Sequence, residues 1–319
     1  MKDSEKVWLI GSGLMAIEYA KVLNSLNVDF ICIGRGKGNV RKFSSEIRID
    51  CISGGLDNFL KQKPPLPEAV LVTASLESLT ETVKLLLEYG VRKILVEKPG
   101  VSVPDEVIEL NQLAHKRKAS VFVAYNRRFY ASVMAVQDLI KQDGGLTSFV
   151  FEFTEWSHKI KELTKHPYEH NFWFLGNSTH VIDTAFYLAG KPKTICSFVK
   201  GKNHLDWHPA SSIYSGAGET ENGAIFSYHA NWEAPGRWVI ELLTKQRRFL
   251  FKPLEKLQIQ KLGSVEISVA EGIDYSYDEK FKPGLYIQLK KFVGGDYSNL
   301  CTLEEQESMM SVYKKMAGY

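Results

Sequence analysis

The sequence predicts an α/β Rossmann domain, a doubly wound parallel sheet, followed by an α+β domain with an open, mostly antiparallel sheet. Three observations carry this. Short apolar runs alternate with helical stretches from Val7 to Ala124, the alternation that builds parallel sheets with crossover helices. The first of these runs leads straight into a glycine-rich turn. After Tyr125-Asn126-Arg127-Arg128-Phe129 the pattern changes to longer strands with polar and apolar residues alternating, as expected where only one sheet face is covered. The chain is therefore read as two domains, 1–124 and 125–319.

Bulk properties narrow the class. A length of 319 residues, 44% hydrophobic and 24% charged, suits two water-soluble domains with sizeable cores. A net charge of +3, with Lys and Arg scattered, gives no footprint for nucleic acid. Cys32, Cys51, Cys196 and Cys301 form no C-x-x-C pair and read as reduced thiols of a cytoplasmic protein. The stretch Met1 to Lys6 lacks the apolar region of a signal peptide. No apolar run approaches the ~18 residues of a membrane span.

The first strand, Val7-Trp8-Leu9-Ile10, meets Gly11-Ser12-Gly13-Leu14-Met15-Ala16 and a helix through Ile17, Ala20, Val22 and Leu23. Such glycines allow a tight turn and bring the backbone around Leu14 and Met15 close to a pyrophosphate at the helix N-terminus. The second strand, Val28 to Ile33, ends in Gly34-Arg35-Gly36-Lys37. There is no carboxylate for the ribose hydroxyls, and two cations follow, a pattern that suits a 2′-phosphate and favours NADP over NAD.

A third strand is expected at Ile47 to Ile52 and a fourth at Ala69 to Thr73, with Thr73 and Ser75 at the cofactor crevice. Ser78-x-x-Glu81 reads as a capping box for a helix from Thr82 to Tyr89, closed by Gly90. The fifth strand, Arg92 to Val96, delivers Glu97-Lys98-Pro99-Gly100 to the carboxyl edge of the sheet, where ligands bind in open α/β folds. A helix follows near Pro104, with Asp105 and Glu106 at its positive end. Ser120 to Ala124 is the sixth strand.

In the second domain, strands are expected at Ser148 to Glu155, Thr194 to Lys200, Gly223 to Trp232 and Trp238 to Leu243. One helix, Ser178 to Leu188, interrupts them, and another, Thr302 to Met316, closes the chain. His180, Asp183 and Tyr187 fall at i, i+3 and i+7 and share a helical face. A histidine near a helix N-terminus with a carboxylate one turn on suits proton transfer; a core histidine held by Asp183 is the alternative, and the residues leave both open. Trp156-Ser157-His158 and the run His166 to Phe174, which includes Trp173, set rings beside hydrogen-bonding groups, which suits a carbohydrate; a loop packing its own rings against the sheet is the alternative. Pro167 between His166 and His170, with no acid or cysteine cluster nearby, argues against a metal.

Gly11-x-Gly13-x-x-Ala16, Glu97-Lys98-Pro99, Tyr125-Asn126-Arg127-Arg128-Phe129, His180-x-x-Asp183, Gln288-x-x-x-Phe292 and Leu303-Glu304-Glu305, in this order, resemble the Gfo/Idh/MocA family of oxidoreductases. The resemblance implies NAD(P)-linked redox chemistry on a sugar, cyclitol or nucleotide-sugar. It also implies a homo-oligomer, dimer or tetramer, through the sheet of the second domain. Lys98 would touch nicotinamide and the substrate hydroxyl, with Glu97 beside it. His180 would be the acid/base, with Asp183 as a possible relay, and Asn126, Arg127, Trp173 and Asn177 would line the substrate. The chain departs from the family where many members have an aspartate four residues before the histidine: Gly176 stands there. Two rivals follow, a catalytically silent nucleotide- or sugar-binding regulator and a reductase of a non-sugar C=N or C=O group.

Overall fold

The structure, a computed structural model, describes residues 7–163 and 167–319. The chain forms two compact units, Met1–Tyr125 with Lys280–Glu307, and Asn126–Glu279 with Ser308–Tyr319. Residues 280–307 thus belong to the unit that begins the chain.

The first unit runs β1 (Val7–Ile10), α1 (Leu14–Ser25), β2 (Phe30–Ile33), α2 (Lys37–Ile47), β3 (Cys51–Ile52), α3 (Gly55–Leu60), β4 (Val70–Val72), α4 (Leu79–Tyr89), β5 (Lys93–Glu97), α5 (Glu106–Lys116) and β6 (Ser120–Ala124). β1 to β6 pair in parallel in the order 6-5-4-1-2-3. β1, β4 and the centre of β5 are buried along their length, which is why they read as unbroken apolar runs. The chain reverses at β1, so the ends of β1 and β4 open the crevice typical of this topology.

Two expectations are corrected in this unit. The third strand is only Cys51–Ile52, because Lys37–Ile47 is helical and stops at Arg48, whose φ is +61°. The amphipathic spacing of Val40 and Phe43, both buried, was the signal for that helix. The capping box is not formed either. Ser78 precedes α4 but makes no side-chain cap; its hydroxyl donates to the Ser75 carbonyl at 3.0 Å, ending a 3₁₀ turn over Leu76–Ser78. Gly90 closes α4 at φ +113°, a conformation that suits glycine.

The second unit contains α6 (Ala131–Gln142), β7 (Ser148–Glu152), α7 (Ser157–Ile160), α8 (Pro167–Asn171), α9 (Thr179–Ala189), β8 (Pro192–Lys200), β9 (Ile213–Thr220), β10 (Ile225–Asn231), β11 (Val239–Leu243), β12 (Arg247–Phe251), β13 (Gln258–Lys261), β14 (Ile267–Val269) and α10 (Ser276–Lys280). The eight strands form an open sheet in the order 14-13-12-11-7-10-9-8. Pairing is antiparallel except between β7 and β10. Four of these strands, β9 and β12 to β14, are additions to the sequence reading. Glycines interrupt β9 at Gly216 and Gly218, and polar residues dominate β13, which blurs their period-2 signal.

Strand alternation sends Phe149, Phe151, Phe226 and Tyr228 to one face, where Phe186 of α9 meets three of these rings at 5.1–5.9 Å. Each fully buried ring contributes roughly 1.5–3 kcal/mol of transfer free energy, so this stack pins α9 to the sheet.

The chain then returns through α11 (Leu285–Val293) and β15 (Cys301–Thr302), which adds an antiparallel edge beside β6. The last helix, α12 (Leu303–Ala317), begins in the first unit and ends in the second. No helix among the described residues is long and apolar enough to cross a membrane.

Candidate functional site

In the first unit, the turn after β1 is built by backbone rather than side chains. Gly11 has φ +112°, and a Cβ there would lie 2.5 Å from Thr73 Oγ1 and 2.7 Å from the Thr73 carbonyl oxygen. Thr73 is held in place by donating its N–H and its hydroxyl to the Ile10 carbonyl, at 2.8 and 3.0 Å. Gly13 caps α1 in extended conformation, with nothing within 4 Å of where its Cβ would be. The first turn of α1 carries no acid, so its unpaired N–H groups and positive dipole end are not neutralised locally. Leu14 is exposed and Met15 half-buried beside this opening. These residues fit a dinucleotide: a cradle closed to side chains below and open above, with amides at a helix N-terminus.

Around the cradle, Gly34 leaves no room for a Cβ, which would lie 2.5 Å from Ser12 Oγ. Arg35 and Lys37 after it are exposed, Lys37 as the first residue of α2. Ser75 donates to Glu77 Oε1 at 2.5 Å, at the start of the 3₁₀ turn after β4.

β5 brings Glu97 and Lys98 to its carboxyl end. Tyr19 of α1 donates to Glu97 Oε1 at 2.9 Å. Burial raises the proton affinity of the Glu97 carboxyl, with the neighbouring Lys98 charge, the Tyr19 hydroxyl and the Lys282 charge opposing it. The turn beyond Lys98 is held from α12, where buried Gln306 donates to the Pro99 carbonyl at 2.8 Å and to the Tyr125 hydroxyl at 3.1 Å. Gln306 was invisible as a site residue in the sequence, since its partners lie about two hundred residues away in the chain.

In the second unit, Asn126 and Arg127 lie on a 3₁₀ turn over Asn126–Phe129. The Arg127 guanidinium lies 4.6 Å from the Trp238 ring, and the His180 ring lies 6.4 Å from the same indole. Arg127 Nε and Trp238 Nε1 are buried and without a hydrogen-bond partner among the described residues, a pair of donors that suits a hydroxyl-bearing ligand. His180 is 7% exposed on the first turn of α9. Asp183 accepts from Arg128 Nε at 2.8 Å and from an Arg128 terminal nitrogen at 2.5 Å, both residues being 3% exposed. The same guanidinium covers the Tyr187 ring at 4.8 Å. The helical face shared by His180, Asp183 and Tyr187 thus carries a buried ion pair one turn beyond the histidine.

A π-turn over Phe174–Ser178 leads into α9. It places Asn177 and Ser178 against Glu155, three residues past the end of β7. Asn177 Nδ2 donates to Glu155 Oε1 and Oε2 at 3.0 and 3.1 Å, and Ser178 Oγ donates to Oε1 at 2.8 Å. Burial raises the proton affinity of this carboxyl, while Ser178, Asn177, Arg237 and Trp173 hold it back. In the sequence Glu155 reads as the end of a strand; in the structure that strand stops at Glu152. His170 packs against the Trp173 and Trp207 rings, and His208 donates to its carbonyl at 2.7 Å. His166 lies outside the described residues, as does the stretch Met1 to Lys6. Among the described residues no group of three or more His, Cys, Asp or Glu is placed to hold a metal.

Residues 6–125 match the Gfo/Idh/MocA family model, described as an oxidoreductase family with an NAD-binding Rossmann fold. No curated protein matches the chain in sequence. Among solved structures, a levoglucosan dehydrogenase in complex with NADH and levoglucosan is 14% identical and superposes with a TM-score of 0.80, over 99% of this chain and 96% of that one. A dehydrogenase from Clostridium difficile is 20% identical, with a TM-score of 0.78 over 98% of both chains. UDP-N-acetylglucosamine 3-dehydrogenase from Acidithiobacillus ferrooxidans is 13% identical, with a TM-score of 0.74 over 98% of this chain and 96% of that one. At these identities the three likenesses speak for a common fold along the whole length.

Proposed function

We propose that the chain, whose residues 6–125 match the Gfo/Idh/MocA oxidoreductase family model, moves a hydride between NADP, or NAD, and a carbohydrate-type substrate: a sugar, cyclitol or nucleotide-sugar. The observation that carries the reading is the cradle at Gly11 and Gly13, closed by Thr73 and open over the N-terminus of α1. Arg35 and Lys37, exposed and with no acid ending β2, favour the 2′-phosphate of NADP.

The bound dinucleotide would accept or supply the hydride. The residues of the chain do the rest. Lys98 places positive charge at the oxygen of the reacting carbon, stabilising the alkoxide that forms as its proton leaves. His180 takes that proton in oxidation and returns it in reduction. Arg127, Asn126, Asn177 and Trp173 orient the hydroxyls and stack the apolar face of the ring, an arrangement worth most when the reacting carbons are held in line. Asp183 enters this reading as the anchor of Arg128, since both its oxygens already serve that guanidinium. The outer face of the eight-stranded sheet, where Val150, Phe198 and Ile225 are exposed, is the surface through which we expect copies of the chain to pair.

Titration with NADPH and NADH, followed by nicotinamide fluorescence, tests the cofactor half of the proposal. Tight NADPH binding that weakens in R35D is expected. Binding of NADH alone would overturn the roles given to Arg35 and Lys37, and binding of neither would leave the silent regulator as the better reading.

A further inference from the structure

Glu155 is a buried carboxyl group with no ion pair among the described residues. It is 2% exposed, and among the described residues its carboxyl oxygens accept from Asn177 Nδ2 and Ser178 Oγ. Asn177 Nδ2 can only donate, and its contacts with both oxygens favour the ionised form against the burial that raises the proton affinity of this carboxyl. A lone buried carboxylate costs several kcal/mol unless charge or hydrogen bonds compensate, and groups retained at such a cost cluster at functional sites. Its position is specific. The two donors are the residues three and two places before His180, at the start of the same helix.

The contacts also set the orientation of Asn177. A carboxylate only accepts, so Asn177 must turn Nδ2 towards it. Its Oδ1 then faces away from Glu155 and is available as an acceptor. Residues 177 and 180 lie three apart where the chain enters α9, the spacing that puts side chains on one helical face.

We infer that Glu155 is a positioning residue for His180: its negative charge favours the protonated imidazole, and its two oxygens fix the Asn177 amide so that Oδ1 accepts from the substrate. The inference deepens the proposed reaction and rests on it for the role of His180. Gly176 brings no side chain to this turn, so the carboxylate comes from Glu155, three residues past the end of β7.

Other charges bear on the same helix. Arg128 and Asp183 form a pair that is neutral as a unit. Arg127 and Arg237 both lie over Trp238, the indole 6.4 Å from the His180 ring, and Arg237 also bears on Glu155, so that their positive charges oppose protonation of His180. Glu152, on the last position of β7, and Tyr214, on β9 and sensitive to the Glu155 charge, complete the set. Removing Glu155 leaves the two arginines dominant, so the His180 titration moves to lower pH.

The test reads the histidine without needing a substrate. Ring Cε1–H signals are followed by NMR from pH 5 to 9 in the full chain, with H180Q assigning the resonance. In E155Q and in E155M the His180 midpoint is expected to fall by about one pH unit, and in E155D to stay near that of the native chain. The thermal midpoint of E155Q, whose amide oxygen still accepts from Asn177 and Ser178, is expected to stay near the native one, and that of E155M to fall modestly because two buried donors lose their acceptor. An unchanged His180 midpoint, or a lower thermal midpoint or loss of folding in both neutral variants, makes Glu155 a structural residue and overturns the inference. A shifted midpoint in a chain that binds neither nucleotide would leave this electrostatic link standing while the hydride-transfer reading falls.

Discussion

The two halves of the candidate machinery are built in opposite ways. In the first unit, the turn after β1 works through what is missing: side chains at Gly11 and Gly34, whose Cβ atoms would strike Thr73 and Ser12 at 2.5 Å, and an acid in the first turn of α1. In the second unit the work falls to buried charges, the Arg128–Asp183 pair and the Glu155 carboxylate among its donors. A backbone cradle tolerates change in the residues around it and binds any ligand with the same phosphate geometry. A buried side-chain network is specific to its members, because each one removed strands the others in a medium of low dielectric.

That contrast can be broken at the second unit first. Replacing Arg128 by Met removes the two-point partner of the buried Asp183 carboxylate, and an unfolding free energy lower by roughly 3–5 kcal/mol is expected in urea titrations. If the loss is small, the pair is not needed to hold α9 in place and the contrast fails.

Lys98 sharpens it from the other side, as the one side chain of the first unit asked to act on the reaction. With whichever sugar or nucleotide-sugar a screen identifies, K98M is expected to cut kcat by about 10²–10³-fold. Nucleotide affinity by fluorescence should be little altered. Equal losses in both would mean that Lys98 builds the crevice instead of serving the reaction.

The smallest effect is expected from Gly11→Ala. A φ of +112° and contact with the Thr73 backbone strain the variant by about 1–3 kcal/mol. Because the strain sits in the cradle, NADPH affinity should fall along with the thermal midpoint. Retained affinity would show that the turn relaxes away from Thr73, and that backbone geometry there is less demanding than the structure implies.

Much of this was legible in the sequence, and the reason is locality. β1, α1, β4 and β6 stand near their expected places because continuous apolar runs and the helical period are properties of neighbouring residues. The turn Gly11 to Ala16 was readable for the same reason: a tight turn with a close backbone approach demands glycine wherever it occurs. The positions of Lys98 at a strand end and His180 at a helix start followed from these elements.

What escaped was non-local. The segment 280–307 joins the unit that opens the chain, and β15 pairs with β6, which no local pattern announces. Ser78 turned its hydroxyl to Ser75 instead of capping α4, a competition between two short-range bonds that the capping pattern could not resolve. Arg128 and Asp183 are fifty-five residues apart in the chain. Glu155 reaches Asn177 across twenty-two residues and Gln306 reaches Pro99 across two hundred and seven. Sequence alone determined which segments become strands, helices and the phosphate-binding turn, since their energetics are settled within a few residues. Only the tertiary structure decided which carboxylate is tied to Arg128 and which stands at the start of the His180 helix, because burial and charge pairing depend on distances in space that chain separation does not measure.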